Sequence, residues 1–374
     1  MIIVLDPQIY NNQKYGGISR YYTEVFSNLK KEGIEVIVPL NFSKNVYFNE
    51  SILSEKNKNF DYFFLYFLSL IGVSIRKRTK KINKKLLCKT LLNKKYDVFI
   101  PTFYDTYFLD YIGDKPFVLT VYDMIHELFP CYFEGYEFIA KNKLLLMEKA
   151  TKIIAVSHNT KKDILKIYPH INADKIEVIY HGNSVLSNSN FKVDLPDNYL
   201  LFVGARDNYK NFIFFINSVV ELLKENQDLQ IICAGGGDFS KNEISFLKSL
   251  NLLDRVKYRF FKENELGAYY RNAKCFVFPS EYEGFGIPVL EAMANDCPII
   301  LPYNSSFPEV AGEAGIFYEL NNSEALLEKI KLVLNDANFR KSHISLGKEQ
   351  VEKFSWEKAS KQCLEVYTEA LKEK

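Results

Sequence analysis

The segment "SEYEGFGIPVLE", residues 280–291, sets Glu283 against Gly284 and Gly286 and places Glu291 eight residues beyond the first carboxylate. Glycines cost backbone entropy unless something must approach the main chain closely. Pro288 suits the first turn of a helix, where its missing N–H would be unpaired in any case. The segment therefore reads as a strand-to-helix loop whose backbone amides and helix N-terminus form an anion site suited to a diphosphate. Glu291, one turn inside that helix, is placed to accept hydrogen bonds from two vicinal hydroxyls, such as those of a ribose. Glu283 lies on the loop, toward the other end of the diphosphate. Gly284, Phe285, Gly286, Ile287, Val289 and Glu291 make up the candidate ligand-binding run.

Outward from this segment, short apolar runs alternate with helix-period stretches. "CFVFPS" (275–280) leads into it and "PIILP" (298–302) follows; "YLLFVG" (199–204), "LQIICAGGG" (229–237) and "VKYRFF" (256–261) complete five expected strands. The first half repeats the rhythm with "IIVLD" (2–6), "EVIVPL", "DVFIPT", "PFVLTVYD", "KIIAVS" and "KIEVIYHG". Between them, "ISRYYTEVFSNLKKEG" (18–33) carries one apolar helical face and closes on Gly33. Strands separated by helices need crossover connections, so the sheets should be parallel and covered on both faces.

A length of 374 residues is long for one core, and two domains are expected. Residues 184–198 are polar and contain a proline. They divide a Rossmann-like domain at 1–185 from another at 199–355, with a linker at 186–198. Each is an α/β, doubly wound unit, and ligands of such sheets bind beyond the carboxyl ends of the strands. With two such units facing each other, the cleft between them is the expected site. The last segment holds the only Trp, Trp356, in an amphipathic helix. Residues 356–374 either pack back across the first domain or form a surface helix of the second.

Three further strand-end loops carry chemistry. Gly16 and Gly17 precede a helix, Arg206 and Lys210 follow "YLLFVG", and Gly235–Gly237 follow "LQIICA". A leaving diphosphate accumulates negative charge, and two cations can neutralise it in the transition state. The chain has no D-x-D pair and its five histidines do not cluster, so this neutralisation is expected without a metal and without a further cofactor.

Hydrophobic residues at 47% and charged residues at 25% give a globular balance, and a net charge of +2 supplies no field for nucleic acid. The six scattered cysteines are expected to be reduced core thiols of a cytoplasmic protein, with no structural zinc. "MIIVLDPQIY" starts directly on a strand and is not expected to be a signal peptide. The apolar run within 62–89 has 14 residues, too short to span a bilayer, and seven Lys/Arg lie between Arg76 and Lys85. Two readings stand: a lipid-facing patch at the inner face of a membrane, or a buried aromatic helix followed by a solvated basic face.

The string from "PSEYEGFGIPVLEAMANDCPIILPYNSSFPEVAGEAGIFYELNN" resembles the donor-binding signature of the retaining glycosyltransferase family four, in its mannosyltransferase-like branch. The E-x7-E hallmark is present as Glu283 and Glu291, and "VGARDNYKN", "YGGISRY", "AVSHNTKKDI" and "FSW" resemble other segments of that family. The resemblance implies a GT-B fold, a nucleotide-sugar donor, no metal, and retention of anomeric configuration. It further implies that Glu283 contacts the donor sugar and Glu291 holds the ribose, with Arg206 and Lys210 clamping the phosphates.

Many relatives carry a His-Asp pair after a first-domain strand, whereas here Tyr122 precedes Asp123 and His126 follows three residues later. Asp123 either accepts the acceptor hydroxyl's proton or binds the donor sugar, and His126 is either catalytic or a satisfied histidine. His181 either lines the cleft or closes a strand, and Ser157 either contacts ligand or caps a helix. Asp296 stands where relatives often have glycine. The expected activity is transfer of a hexose-type sugar from a GDP-sugar such as GDP-mannose, or a UDP-sugar, to a glycan or lipid-linked acceptor. A GT-B nucleotide-sugar epimerase and a non-catalytic binding subunit are the alternatives.

Overall fold

Among the described residues, twelve strands form from runs rich in β-branched and aromatic side chains, and every pairing is parallel. The structure is a computed structural model that describes residues 1–57, 75–183, 193–206 and 208–373. The chain divides into two compact units, Met1–Gly182 with Trp356–Lys374, and Asn183–Ser355. The expected linker at 186–198 lies in large part outside the described residues.

In the first unit, β1 (Ile2–Leu5), β2 (Glu35–Ile37) and β3 (Val98–Ile100) pair in the order β2-β1-β3. Strands β4 (Val118–Val121), β5 (Lys152–Ala155) and β6 (Ile176–Val178) pair in the order β4-β5-β6. A parallel bridge between Phe99 and Phe117 links the two sets. The chain therefore turns back on itself at β1 and β3, and the loops after those strands diverge. Every residue of β3, β4 and β5 is buried, as a sheet covered on both faces requires. The helix Trp356–Ala370 belongs to this unit: Tyr367 stacks on Phe26 with centroids 6.1 Å apart, and Lys152 pairs with Glu373 at 2.8 Å.

The second unit contains β7 (Tyr199–Val203), β8 (Gln230–Ala234), β9 (Val256–Arg259), β10 (Cys275–Val277), β11 (Ile299–Pro302) and β12 (Gly315–Tyr318). Their order is β12-β11-β10-β7-β8-β9, the doubly wound order whose reversal falls between β7 and β10. Five of these strands match the sequence reading; β12, "GIFY", is an addition to it. It is four residues long at the sheet edge, and its burial alternates, so no apolar run announces it. Leu200, Phe202, Phe215, Val219 and Ile231 sit at the centre of this unit's core, each without solvent exposure.

Two cysteines depart from the expectation of core thiols. Cys131 is exposed and Cys88 half-buried, whereas Cys233, Cys275, Cys297 and Cys363 are buried. Cys131 falls in the single turn Pro130–Tyr132, none of whose residues is buried.

Asp6, immediately after β1, is fully buried and accepts hydrogen bonds from Tyr107 Oη at 2.8 Å and Gln8 N–H at 3.0 Å. Among the described residues its Oδ2 has no hydrogen-bond partner. Burial pushes its carboxyl up to about 7, against the lowering effect of the Tyr107 and Gln8 bonds. His181 is packed against Tyr21 and Trp356, and burial lowers its imidazole to about 3. The two act in opposite senses. Folded Asp6 holds a proton that the unfolded chain releases, so its contribution to stability falls from about pH 4 to about 7. Folded His181 refuses a proton that the unfolded chain accepts, so its contribution rises from about pH 3 to about 6.5. Asp6→Asn removes only the first effect. In chemical denaturation, the stability of Asp6→Asn relative to the parent should improve between about pH 5 and about pH 8; a difference independent of pH would contradict the buried-acid assignment.

Candidate functional site

The reversal between β7 and β10 places two loops side by side at the carboxyl edge of the second sheet. One carries Gly204–Arg206 and Asn208–Lys210, and the other runs from Phe278 to Gly286. The backbones are tied by Glu281 N–H donating to the Tyr209 carbonyl at 2.8 Å. Across them Lys210 Nζ donates to Glu283 Oε1 at 2.5 Å, with side-chain exposures of 17% and 14%. Their attraction is therefore less screened than that of an open surface pair. The ammonium also lies 5.1 Å from the centroid of the Phe278 ring.

The loop around Glu283 is held from below by a serine pair. Ser306 Oγ is within 2.9 Å of both the Glu283 and Phe285 carbonyls, and Ser305 Oγ accepts from Glu283 N–H at 3.2 Å. Gly286, the N-cap of the helix Ile287–Ala294, has φ 96°, a left-handed value that favours glycine over a residue with a side chain. Pro288 sits in the first turn, as its missing N–H allows. Val289 is fully buried and Phe285 only 4% exposed, so both side chains are packed in the interior of the unit. Glu291 is 5% exposed and accepts a hydrogen bond from Tyr270 Oη at 3.1 Å. Asp296, just past the helix, takes φ 58°, a left-handed value that aspartate tolerates better than most residues.

Arg206 occupies a different place. It is 7% exposed, and its Nε donates to Glu243 Oε1 at 2.6 Å. Its Nη1 donates to the Gly235 carbonyl at 3.0 Å, and its Nη2 to those of Gly237 at 2.8 Å and Asp238 at 3.1 Å. Gly235, Gly236 and Gly237 all have positive φ, and a Cβ on Gly236 would lie 2.4 Å from the Gly204 carbonyl oxygen. The guanidinium thus packs the glycine turn after β8 against the loop after β7. Burial pushes the Glu243 carboxyl up, but bonds from Ser240 and Arg206 outweigh it and hold the group below the usual range. Structure brings Lys210 and Glu283 together, and shows Arg206 bonded to a separate set of partners.

In the first unit, Gly16 caps the helix Gly17–Lys31 without a side-chain bond, and Gln13 Oε1 accepts from Ser19 N–H at 3.2 Å. Asp123 precedes the short helix Ile125–Leu128 just after β4, and His126 lies within it. Asp123 Oδ1 accepts from Ile125 N–H at 3.1 Å. The His126 ring lies against Phe133 with centroids 4.7 Å apart, and its Nδ1 is buried with no hydrogen-bond partner among the described residues. Burial, followed by the nearby Lys143 cation, lowers its imidazole below the ordinary value. Ser157 resolves to a cap: its Oγ accepts from Thr160 N–H at 3.0 Å.

Several participants escaped sequence reading. Ser305 and Ser306 lie in the quoted signature, yet only the fold shows which carbonyls they serve. Tyr270 carries no motif. Lys143 reads as one more helical lysine until its burial is known. Among the described residues, no group of three or more His, Cys, Asp or Glu side chains could hold a metal ion, and no helix is long and apolar enough to cross a membrane.

Two family models match the chain: "Glycosyltransferase Family 4" over residues 15–184 and "Glycosyl transferases group 1" over residues 188–350. The chain is 30% identical over 217 residues to the O-antigen chain mannosyltransferase RfbU of Salmonella typhimurium, covering 55% of this chain and 59% of that protein. It is 28% identical over 229 residues to the N-acetylgalactosamine-N,N'-diacetylbacillosaminyl-diphospho-undecaprenol 4-alpha-N-acetylgalactosaminyltransferase of Campylobacter jejuni, covering 59% of this chain and 60% of that protein. The match thus spans about three fifths of each relative's length. Among solved structures, Anabaena HepE in complex with UDP and glucose superposes with a TM-score of 0.72 at 17% identity, covering 98% of this chain and 99% of that one. Two matched family models and a shared GT-B fold lead to one conclusion: this chain belongs to the family 4 glycosyltransferases.

Proposed function

We propose that the chain moves a hexose-type sugar, with retention of anomeric configuration, from a nucleoside-diphosphate sugar to a glycan or lipid-linked glycan acceptor in surface polysaccharide synthesis. The observation that carries this reading is the Lys210–Glu283 pair at the strand-order reversal, beside the Gly286 helix N-terminus. A cation, a carboxylate and oriented backbone amides then lie along two adjoining loops, after β7 and β10. Lys210 and the helix end take up charge on the departing diphosphate, where stabilisation accelerates the chemical step. Glu283 holds hydroxyls of the donor sugar and Glu291 those of the ribose. Arg206 completes the phosphate clamp by holding the glycine turn in shape and by its remaining N–H. This scheme needs no metal.

Asp123 and His126 serve the acceptor side, and the departing phosphate assists attack on the same face of the sugar. A GDP-sugar such as GDP-mannose is the first assignment, in line with the mannosyltransferase relative. A UDP-sugar is the second, in line with the UDP complex of the Anabaena neighbour. Glu283→Gln should reduce kcat about 100-fold while nucleoside diphosphate affinity stays within about twofold, because its contact is to the sugar. Arg206→Ala should weaken diphosphate binding and lower kcat together. Equal loss of kcat and affinity in Glu283→Gln would overturn its role.

Peripheral contact with the inner face of a membrane, in a cytoplasmic setting, completes the proposal. Residues 62–74 of the basic-aromatic segment 62–89 lie outside the described residues. The helix Ile75–Leu92 exposes Arg78, Lys81, Lys84, Lys85 and Lys89, and each basic group near an anionic surface contributes about 1 kcal/mol. The protein should co-sediment with vesicles containing anionic lipid and not with purely zwitterionic ones. Replacing Lys81, Lys85 and Lys89 by Glu should abolish that preference; vesicle binding that ignores lipid charge would remove the contact.

A further inference from the structure

Lys143, on the helix Tyr136–Lys149, has a side chain with no solvent exposure at all. A lysine charge is buried this way only when it is paired, because its desolvation is otherwise prohibitive. Its Nζ donates to Glu127 Oε2 at 2.8 Å and to the backbone carbonyl of Asp123 at 3.0 Å. It also lies 3.9 Å from Asp123 Oδ1 and 5.1 Å from the centroid of the Tyr104 ring. Tyr104 Oη in turn accepts from Tyr122 N–H at 3.1 Å. One ammonium therefore gathers the helix, the loop after β3 and both ends of the segment Asp123–Glu127. That segment carries the two acceptor-side groups, Asp123 and His126.

Stability alone gives a weak reason for such a group. Replacing a buried ion pair with well-packed apolar side chains is often neutral or stabilising, whereas removing one partner leaves an uncompensated charge. What an apolar pair cannot do is bond a carbonyl. We propose that Lys143 is a positioning residue for sugar transfer: by bonding the Asp123 carbonyl and Glu127 at once, it fixes the orientation of Asp123 and His126. The inference rests on the assignment of those two residues to the acceptor side. Lys143 itself touches no substrate.

Three variants test it: Lys143→Met, Lys143→Arg, and the double variant Lys143→Met with Glu127→Met. Each is measured for kcat and donor KM with the nucleotide-sugar as probe, and for thermal unfolding. The double variant should unfold near the parent temperature, yet its kcat should fall about 100-fold, the scale of a misplaced reacting group. Donor KM should stay within about twofold, since the donor site lies in the other unit. Lys143→Arg, which keeps the charge and donors, should recover part of the lost kcat. Parental kcat in the double variant overturns the proposal, as does a loss confined to KM. Lys143→Met alone can fail to fold through its stranded Glu127, and the double variant then decides the matter. Asp123→Asn, run alongside, separates the two levels: parental kcat there overturns the acceptor-side assignment itself, whereas its loss beside an active double variant overturns only the role of Lys143.

Discussion

A parallel sheet must be covered on both faces, and that requirement shapes the rest of this protein. Each crossover carries the chain over one face, and where the strand order reverses, consecutive loops leave in opposite directions. In the second unit the reversal lies between β7 and β10, and the loops after those two strands carry Arg206, Lys210, Glu283 and Gly286. In the first unit the corresponding reversal lies between β1 and β3, with Asp6 and Thr102 just past the strand ends and Tyr107 farther along the loop after β3. The chemistry is grouped by topology before any side chain is placed.

Electrostatics then divides the labour among the cations. Lys210 meets a single carboxylate, Glu283, and keeps some exposure to solvent, and in the proposed function its charge is shared with an arriving phosphate. Arg206 is committed to three carbonyls and Glu243, and its work is to hold the turn whose glycines let the backbone pass so closely. Lys143 is committed to Glu127 and the Asp123 carbonyl in the first unit. The planar guanidinium suits a fan of carbonyls, whereas a lysine ammonium suits a single point of convergence.

Much of this was legible in the sequence because periodicity and turn residues report local structure directly. The eleven strands announced by apolar runs formed, and Gly286 and Pro288 marked a real strand-to-helix loop. β12 was missed because "GIFY" is short, lies at the edge and alternates in burial. Cys131 departed from the core reading because a cysteine's depth depends on tertiary packing, which spacing does not encode. The same limit hid Lys143: its helix is rich in polar residues, and only the packed fold reveals that this lysine faces inward. Arg206 and Lys210 read alike in "ARDNYKN", yet the glycine turn after β8, some thirty residues away in the chain, claims the first and leaves the second to Glu283.

Under the proposed function, the β10 loop and its neighbours bind a nucleoside diphosphate with protein cations in place of a metal. Calorimetric titration of the protein with GDP and with UDP, each in EDTA and in excess magnesium, tests it most directly. Saturable binding of one nucleotide in EDTA is expected, with an affinity that magnesium leaves nearly unchanged. Binding that appears only when magnesium is added, or no binding of either nucleotide, would contradict it.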